Sequence, residues 1–300
     1  MLPLASQRRR TRAWPVGALM GLLAMLGVSA AAHASPPPAQ RIVSLNPSLT
    51  AILVAIGARD ALVGVDDYSA GITKEVADLP RVGGLYSPSL EAVVALRPDL
   101  VVLVPSAEQR DFRERTESLG IRVAVFENIR FDQVLENIER LGALTGRGAQ
   151  ARRRIEAIER TSAAAVRASV GRRSPRVLVV LQHDPVYVVG RGSFLAEMLD
   201  RLGGRNLGAE FDDPYPRVAI EWVVARGPEV LIDLSPDPDA AHAYWARWPS
   251  IPAVQNKRVL KLPSELISMP GPRLDEALLV LAVALYGEEA ALQIRRESAP

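Results

Sequence analysis

Short apolar runs alternate with amphipathic stretches along the first half of this chain. The apolar runs predict β-strands at 41–45, 62–65, 100–104 and 122–126. The stretches between them predict helices at 48–56, 107–119 and 131–144. Asn46 and Pro47 mark a helix start, because Asn is a favoured N-cap and Pro fits the first helical position. This alternation is typical of βαβ units around a mainly parallel sheet.

The second half of the chain shows the same alternation. Apolar runs predict strands at 176–181, 186–189, 230–234 and 258–262. Helical patterns occupy 193–202, a short stretch around Glu221, and 272–286. Ser193 suits an N-cap, and Gly203 follows the end of the helix that Ser193 opens. The two halves therefore predict two similar α/β lobes.

One local sequence occurs once in each half. The first copy reads Ser-Leu-Glu91-Ala-Val-Val-Ala-Leu-Arg-Pro98, and the second reads Ala-Ile-Glu221-Trp-Val-Val-Ala-Arg-Gly-Pro228. In both copies the glutamate lies in the first helical turn, where the helix dipole favours an anion, and a proline seven residues later ends the helix. A single copy would indicate only a helix start. Its recurrence predicts two lobes that each present one glutamate side chain at the surface.

The longest helical pattern separates the two copies. Between Gly148 and Val170 no proline or glycine occurs, and apolar residues recur at helical spacing: Ile155, Ile158, Ala165 and Val166. Such a helix is roughly 35 Å long at about 1.5 Å per residue. We therefore predict an N-terminal lobe at 41–145, a connecting helix at 146–171 and a C-terminal lobe at 172–300.

Residues 1–34 have the pattern of a secretory signal peptide. Four arginines between Arg8 and Arg12 precede an apolar run that ends in the small-residue cleavage site Ala32-His33-Ala34. Pro15 and several glycines interrupt the run, which disfavours a membrane anchor. We expect cleavage after Ala34, an extended leader at 35–40, and export by the general secretory route. The Arg8-Arg9 pair leaves twin-arginine export open.

Charge and cysteine content exclude several classes of function. Without residues 1–34, the chain has 32 basic and 34 acidic residues and a net charge of −2. A nucleic-acid partner is disfavoured, because a phosphate-binding surface needs clustered positive charge. The sequence contains no cysteine, which excludes disulfides, thiol catalysis and a lipidated N-terminal cysteine. A soluble monomer of the periplasm is expected.

Several local sequences carry a resemblance to a known family. They are Arg41-Ile-Val-Ser-Leu45, Ser89-Leu-Glu91 with Pro98-Asp99-Leu100, Leu202-Gly203-Gly204 with Asn206, Glu221 with Pro228, and Gly271-Pro272-Arg273. With these motifs the chain resembles the periplasmic substrate-binding proteins of ABC importers for vitamin B12, haem and ferric siderophores, and most closely the cobalamin-binding branch. The resemblance implies an α/β fold of two Rossmann-like lobes, joined by one long helix, with the ligand cleft between them.

The resemblance also implies partners and roles. In that family two glutamates contact arginines of the inner-membrane permease, which works with an ATPase, so Glu91 and Glu221 are expected to dock there. The bound molecule is cargo, a corrinoid or else haem or a ferric siderophore, and no intrinsic cofactor is expected.

The ligand itself stays open between these three classes. Cobalamin-binding relatives tend to place a tryptophan six residues before each docking glutamate, whereas this chain has Leu85 and Tyr215 there. Candidate ligand-binding residues are aromatic or polar and lie near predicted strand ends or helix starts: Tyr68, Tyr86, His183, Tyr187, Tyr215 and Arg273. His183 is a candidate to ligate a haem iron or cobalt or to bond a ligand amide, with a loop-stabilising role as the alternative. Arg273 is suited to an acidic ligand group, with a capping or interlobe salt bridge as the alternative.

Two other classes of protein are disfavoured. A two-lobed α/β enzyme would show a nucleophile elbow, a phosphate loop or a zinc motif, and none occurs, so we predict no catalytic residues. A zinc or manganese receptor needs several converging histidines and carboxylates. After residue 34 the only histidines are His183 and His242, and no metal site is predicted.

Overall fold

A four-stranded parallel sheet organises the first half of the chain. The computed structural model describes residues 37–106, 109–236 and 240–299. The elements of the first half are β1 Ile42–Ser44, α1 Pro47–Ala55, β2 Leu62–Val65, α2 Asp67–Ile72, β3 Gly83–Gly84, β4 Ser87–Pro88, α3 Leu90–Ala95, β5 Leu100–Leu103, α4 Arg110–Ser118, β6 Arg122–Val125 and α5 Phe131–Leu144. The strand order is β2-β1-β5-β6, and β3 and β4 form a separate antiparallel hairpin.

The apolar runs form strands because both faces of this N-terminal sheet are covered. All four residues of β5 are buried. Leu100 and Val102 contact one hydrophobic cluster, while Val101 and Leu103 contact another on the opposite face. A strand that is buried on both faces reads as a continuous apolar run, so the sequence marks it clearly.

Helix α6, Gly148–Ser169, follows this sheet and matches the predicted connector closely. It packs against α5 on the N-terminal side and against three helices of the second half. All strands of the N-terminal sheet precede α6 in the chain, and all strands of the second sheet follow it. The chain therefore passes between the two sheets once.

A mixed sheet organises the second half. Its elements are β7 Arg176–Gln182, β8 Val186–Val188, α7 Phe194–Arg201, β9 Arg205–Asn206, β10 Arg217–Val218, α8 Ile220–Arg226, β11 Val230–Asp233, α9 Ala240–Trp245, α10 Pro252–Gln255, β12 Val259–Lys261, α11 Ser264–Ile267, α12 Leu274–Tyr286 and α13 Glu288–Ser298. The order is β10-β8-β7-β11-β12, with β9 also beside β7. β8 is antiparallel to its neighbours β7 and β10, and the other pairs are parallel.

Contacts on the helix side hold the halves together. Helix α6 meets α7, α12 and α13 of the second half, and Arg154 forms an ion pair with Asp275 of α12. The Phe194 amide donates to the Ile129 carbonyl oxygen at 2.6 Å. The described residues consequently form one compact unit. The α/β fold with two lobes and one long helix is confirmed, while the lobe boundaries at 145 and 172 stay a prediction.

The remaining differences concern ends and short elements. The predicted signal peptide at 1–34, the first two residues of the leader and the start of the helix at 107–119 lie outside the described residues. The last helix, α13, was not predicted, and neither were the β3–β4 hairpin and the short elements α2, β9, β10, α10 and α11. None of the helices in the described part of the chain is long and apolar enough to cross a membrane.

Candidate functional site

A cavity opens between the two sheets, and we call it the central cleft. It encloses about 420 Å³. Its N-terminal wall consists of Asn46, Pro47, Ser48, Tyr68, Ile72, Leu85 and Asn128. Its C-terminal wall consists of Leu234, Pro236, Ser264, Glu265, Ser268, Met269 and Pro270. Many of these residues follow the carboxyl ends of parallel strands, where α/β proteins collect their ligands.

Local capping places the polar groups of the N-terminal wall. Asn46 caps α1, and its Oδ1 accepts from the Ser48 amide at 3.0 Å and from the Ser48 hydroxyl at 2.7 Å. Asn128 Nδ2 donates to Ser48 Oγ at 2.9 Å. These bonds hold one hydroxyl and two carboxamides at the cleft wall.

Asp66 positions Tyr68 in the same wall. Its Oδ1 accepts from the amides of Tyr68 at 3.0 Å and Ser69 at 2.9 Å, which caps α2. Burial raises the pKa of Asp66 above its ordinary value, although the bonds from Ser69 and Tyr68 oppose that shift. The Tyr68 side chain remains 57% exposed and lines the central cleft. Of the six predicted ligand-binding residues, Tyr68 alone lies in this wall.

The central cleft has an unusual charge pattern. Among the described residues of its wall, Glu265 is the only charged side chain, and no arginine, lysine or histidine is present. The other polar groups are the carboxamides of Asn46 and Asn128 and four hydroxyls, those of Ser48, Tyr68, Ser264 and Ser268. Such a wall favours an uncharged surface that both donates and accepts hydrogen bonds.

Arg273 lies in a second cavity behind the cleft. This rear cavity encloses about 300 Å³ and shares Ile72, Glu265 and Met269 with the central cleft. The Arg273 guanidinium donates to Glu276, with Nε 3.0 Å from Oε1 and Nη2 2.5 Å from Oε2. The hydrogen bond with Glu276 raises the pKa of Arg273 further. Arg273 thus forms a local salt bridge at the start of α12 and not one between the lobes, and its contact with a ligand stays a prediction.

His183 belongs to a buried cluster around Asp233, at the end of β11. Its Nε2 donates to Asp233 Oδ2 at 2.6 Å, and its ring stacks on Tyr244 at 4.0 Å. Trp245 Nε1 donates to the same oxygen at 2.6 Å, while the Ser235 amide and hydroxyl donate to Oδ1 at 3.0 and 2.6 Å. These bonds fit the loop-stabilising alternative for His183, whose role as a ligand-binding residue stays a prediction.

The Asp233 cluster carries an ionised carboxylate. Burial by itself would raise the pKa of Asp233, but the hydrogen bonds from Ser235, His183 and Trp245 outweigh it and lower that pKa. Leu234 and Pro236, on either side of Ser235, both line the central cleft. The cluster therefore shapes the C-terminal wall.

The other predicted aromatic residues lie outside both cavities. Tyr86 is 63% exposed in the turn between β3 and β4, next to Leu85 of the cleft wall. Tyr187 lies in β8 opposite Arg217. Tyr215 lies in the loop that precedes β10, and burial raises the pKa of its hydroxyl. Their contact with a ligand stays a prediction.

The two glutamates occupy matching places. Glu91 and Glu221 each lie in the first turn of a short helix, α3 and α8, and both side chains are exposed. Neither carboxylate has an ion-pair partner among the described residues. Helix α3 leads into β5 of one sheet, and α8 leads into β11 of the other. The repeat seen in the sequence is therefore also a repeat in structure.

Sequence reasoning missed most of the cleft wall. The segment 264–270 contributes five wall residues, and no motif marks it. Asn46 and Ser48 were predicted only as part of a helix start. Their positions just beyond strand ends were the available signal. No group of three or more histidines, aspartates or glutamates capable of holding a metal occurs in the described ranges.

Known proteins resemble this chain in sequence and in architecture. The family model described as periplasmic binding protein matches residues 42–266. A vitamin B12-binding protein of Vibrio parahaemolyticus is 30% identical over 247 residues, which cover 81% of this chain and 88% of that protein.

Two solved structures are also similar. The periplasmic vitamin B12-binding protein of Vibrio cholerae aligns with a TM-score of 0.70 and 25% identity, over 88% of this chain and 99% of that one. A periplasmic haem-binding protein of Pseudomonas aeruginosa aligns with a TM-score of 0.71 and 28% identity, over 83% and 93%.

Proposed function

Because this chain belongs to the periplasmic binding protein family, we propose that it captures cobalamin or a related corrinoid and delivers it to an ABC importer of the inner membrane. Proteins of this family are components of transport and not enzymes; they bind small molecules and work with ABC importers. We further propose that the chain is exported and cleaved after Ala34, and that Glu91 and Glu221 contact the permease.

The charge of the central cleft carries the ligand proposal. A corrinoid is a large, flat macrocycle surrounded by carboxamides, which both donate and accept hydrogen bonds. Asn46, Asn128 and the hydroxyls of the cleft wall match those carboxamides. Haem carries two carboxylates, and Glu265 would repel them in a wall that has no cation among its described residues.

Haem is the second candidate because of Tyr68. A tyrosine oxygen is an established axial ligand of haem iron. Tyr68 lines the central cleft with more than half of its side chain exposed. The similarity to the haem-binding protein of Pseudomonas aeruginosa agrees with this alternative.

Calorimetric titration of residues 35–300 tests the proposal. The titrants are cyanocobalamin, haemin, and ferric hydroxamate and catecholate siderophores. We expect tight one-to-one binding of cyanocobalamin and none of comparable strength with the others. Tyr68→Phe separates the candidates, since it removes only the phenolic oxygen: loss of one neutral hydrogen bond should weaken cobalamin by about tenfold at most, whereas loss of an axial ligand should abolish haemin binding. Haemin binding that is tight in the wild type and lost in Tyr68→Phe would establish the haem alternative instead.

A further inference from the structure

A third cavity lies beside the central cleft, and we call it the lateral cavity. It encloses about 380 Å³ at the carboxyl ends of β5 and β6. Its described wall consists of Leu103, Pro105, Ser106, Gln109, Arg110, Arg113 and Val125. The ends of parallel strands make this position part of the same ligand-facing edge as the central cleft.

Gln109 connects the two cavities. Its Nε2 donates to the carbonyl oxygen of Leu85, and Leu85 forms part of the wall of the central cleft. A ligand in the central cleft is therefore separated from the lateral cavity by one pair of residues.

The same glutamine has an unused hydrogen-bonding group. Gln109 is only 2% exposed, and its Oε1 has no hydrogen-bond partner. Buried polar atoms in folded proteins are nearly always paired, so an unpaired carboxamide oxygen in a cavity wall indicates a missing donor. A hydroxyl group on a bound molecule would supply that donor.

The lateral cavity is positively charged. Arg110 and Arg113 lie in the first half of α4, and no carboxylate is present among the described residues of the wall. Arg113 Nε makes no hydrogen bond, and the nearest carboxylate oxygen, on Glu117, is 3.9 Å away. The N-terminus of α4 adds its dipole to these two cations. The described wall of the central cleft has the opposite character, with one anion and no cation.

From this division of charge we propose that the lateral cavity binds an anionic arm of the ligand whose macrocycle fills the central cleft. This inference rests on the proposed function. In a complete corrinoid the anionic arm is the phosphodiester of the nucleotide loop, and the adjoining ribose carries a hydroxyl that Gln109 Oε1 can accept from. The propionates of haem have the same anionic chemistry.

Cobinamide distinguishes these possibilities, because it has the corrin ring and its carboxamides but lacks the phosphodiester. Calorimetry compares cyanocobalamin, dicyanocobinamide and haemin with the wild type, Arg110→Gln and Arg113→Gln. We expect each substitution to weaken cyanocobalamin about tenfold, the effect of losing one charged hydrogen bond, and to leave cobinamide unchanged. Arg115→Gln is the matched control, since it removes the same charge from the same helix and Arg115 does not line the cavity.

The outcomes separate the two proposals. Equal weakening of cyanocobalamin and cobinamide, or no weakening of either, would overturn the lateral site while leaving a corrinoid receptor in place. If the wild type binds haemin and neither corrinoid, the corrinoid proposal fails, and weaker haemin binding by Arg110→Gln and Arg113→Gln retains the anionic site. Unchanged haemin binding in that case would overturn the lateral site as well.

Discussion

Arg97 and Gly227 occupy the same position after the two glutamate helices, and both have a left-handed backbone. Their φ angles are 47° and 54°. Glycine adopts this region at no steric cost, whereas the Cβ of an L-residue meets a carbonyl oxygen there. The second copy of the repeat therefore ends its helix with glycine, which suits this conformation, whereas the first copy ends its helix with a strained arginine.

Replacement of this arginine should stabilise the protein. Arg97→Gly removes the steric cost of a left-handed backbone, which is about 1–2 kcal/mol for a residue with a Cβ. Glycine also increases the conformational entropy of the unfolded chain, which offsets part of this gain. We therefore expect the free energy of unfolding to rise by about 0.5–1 kcal/mol. Gly227→Ala should lose about 1 kcal/mol at the equivalent site. Urea unfolding measures both. Arg97→Ala is the control: if it stabilises as much as Arg97→Gly, loss of the side chain and not relief of the backbone is responsible.

At the scale of elements, Asp233 joins four parts of the C-terminal lobe. It ends β11 and accepts from the loop after β7 through His183, from α9 through Trp245, and from its own loop through Ser235. Lys261 of β12 lies 3.7 Å from its Oδ1. One carboxylate therefore sets the relative positions of two strands, one helix and the wall of the central cleft.

Asp233→Asn should cost about 2–4 kcal/mol at pH 7, because the amide group cannot accept the bonds that the second carboxylate oxygen receives. The folded pKa of Asp233 is lower than its ordinary value of 3.8. Its contribution to stability is therefore present above pH 3.8 and is lost as the pH falls through the folded pKa. We expect the difference between wild type and variant to shrink below pH 3.8, as measured by urea midpoints at several pH values.

For Asp66→Asn we expect the effect of pH on stability to have the opposite sign. Burial raises the folded pKa of Asp66 above 3.8, so its contribution is present at low pH and is lost as the pH rises through the folded pKa. The stability of this variant relative to the wild type should therefore improve with rising pH. Identical pH trends for the two variants would contradict the assignment of an ionised Asp233.

The larger elements were mostly predictable, because the buried strands are apolar runs and helices such as α1 and α7 begin at the side-chain caps Asn46 and Ser193. Helix α5 was predicted residue for residue, and α6 lies two residues inside each end of the predicted connecting helix. The Asp233 cluster was not predictable, since its partner His183 is 50 residues away in the sequence and only the fold brings the two together. The segment 264–270 of the cleft wall was not predictable either, because its short helix has no periodic pattern of apolar residues. Glu91 and Glu221 were recognised because the same local sequence occurs in both halves of the chain. Either copy alone would have indicated only a helix start.

At the scale of the whole molecule, the two exposed glutamates belong to separate lobes of one compact body. Charged groups held apart on a rigid body determine orientation and the rate of encounter more than affinity. Helix α6 and the bond between Phe194 and Ile129 fix the arrangement of the lobes. The separation between the two carboxylates is therefore a property of the fold.

Charge reversal at both positions tests this arrangement. Glu91→Arg and Glu221→Arg should each impair transport in a system reconstituted with the cognate permease, and the double variant should abolish it. Ligand binding by the isolated protein should stay unchanged, because neither residue lines a cavity described here. Glu159→Arg reverses an exposed charge on α6 and serves as the control. Normal transport by the double variant would rule out docking through these glutamates.

The single passage of the chain through α6 has a consequence for how such receptors diversify. One sheet, one wall of the cleft and one glutamate are encoded before Gly148, and their counterparts are encoded after Ser169. A single recombination event within the codons for this helix would exchange an entire half without cutting through either sheet. New pairings of cleft walls would thus arise between related genes while each half keeps its own exposed glutamate.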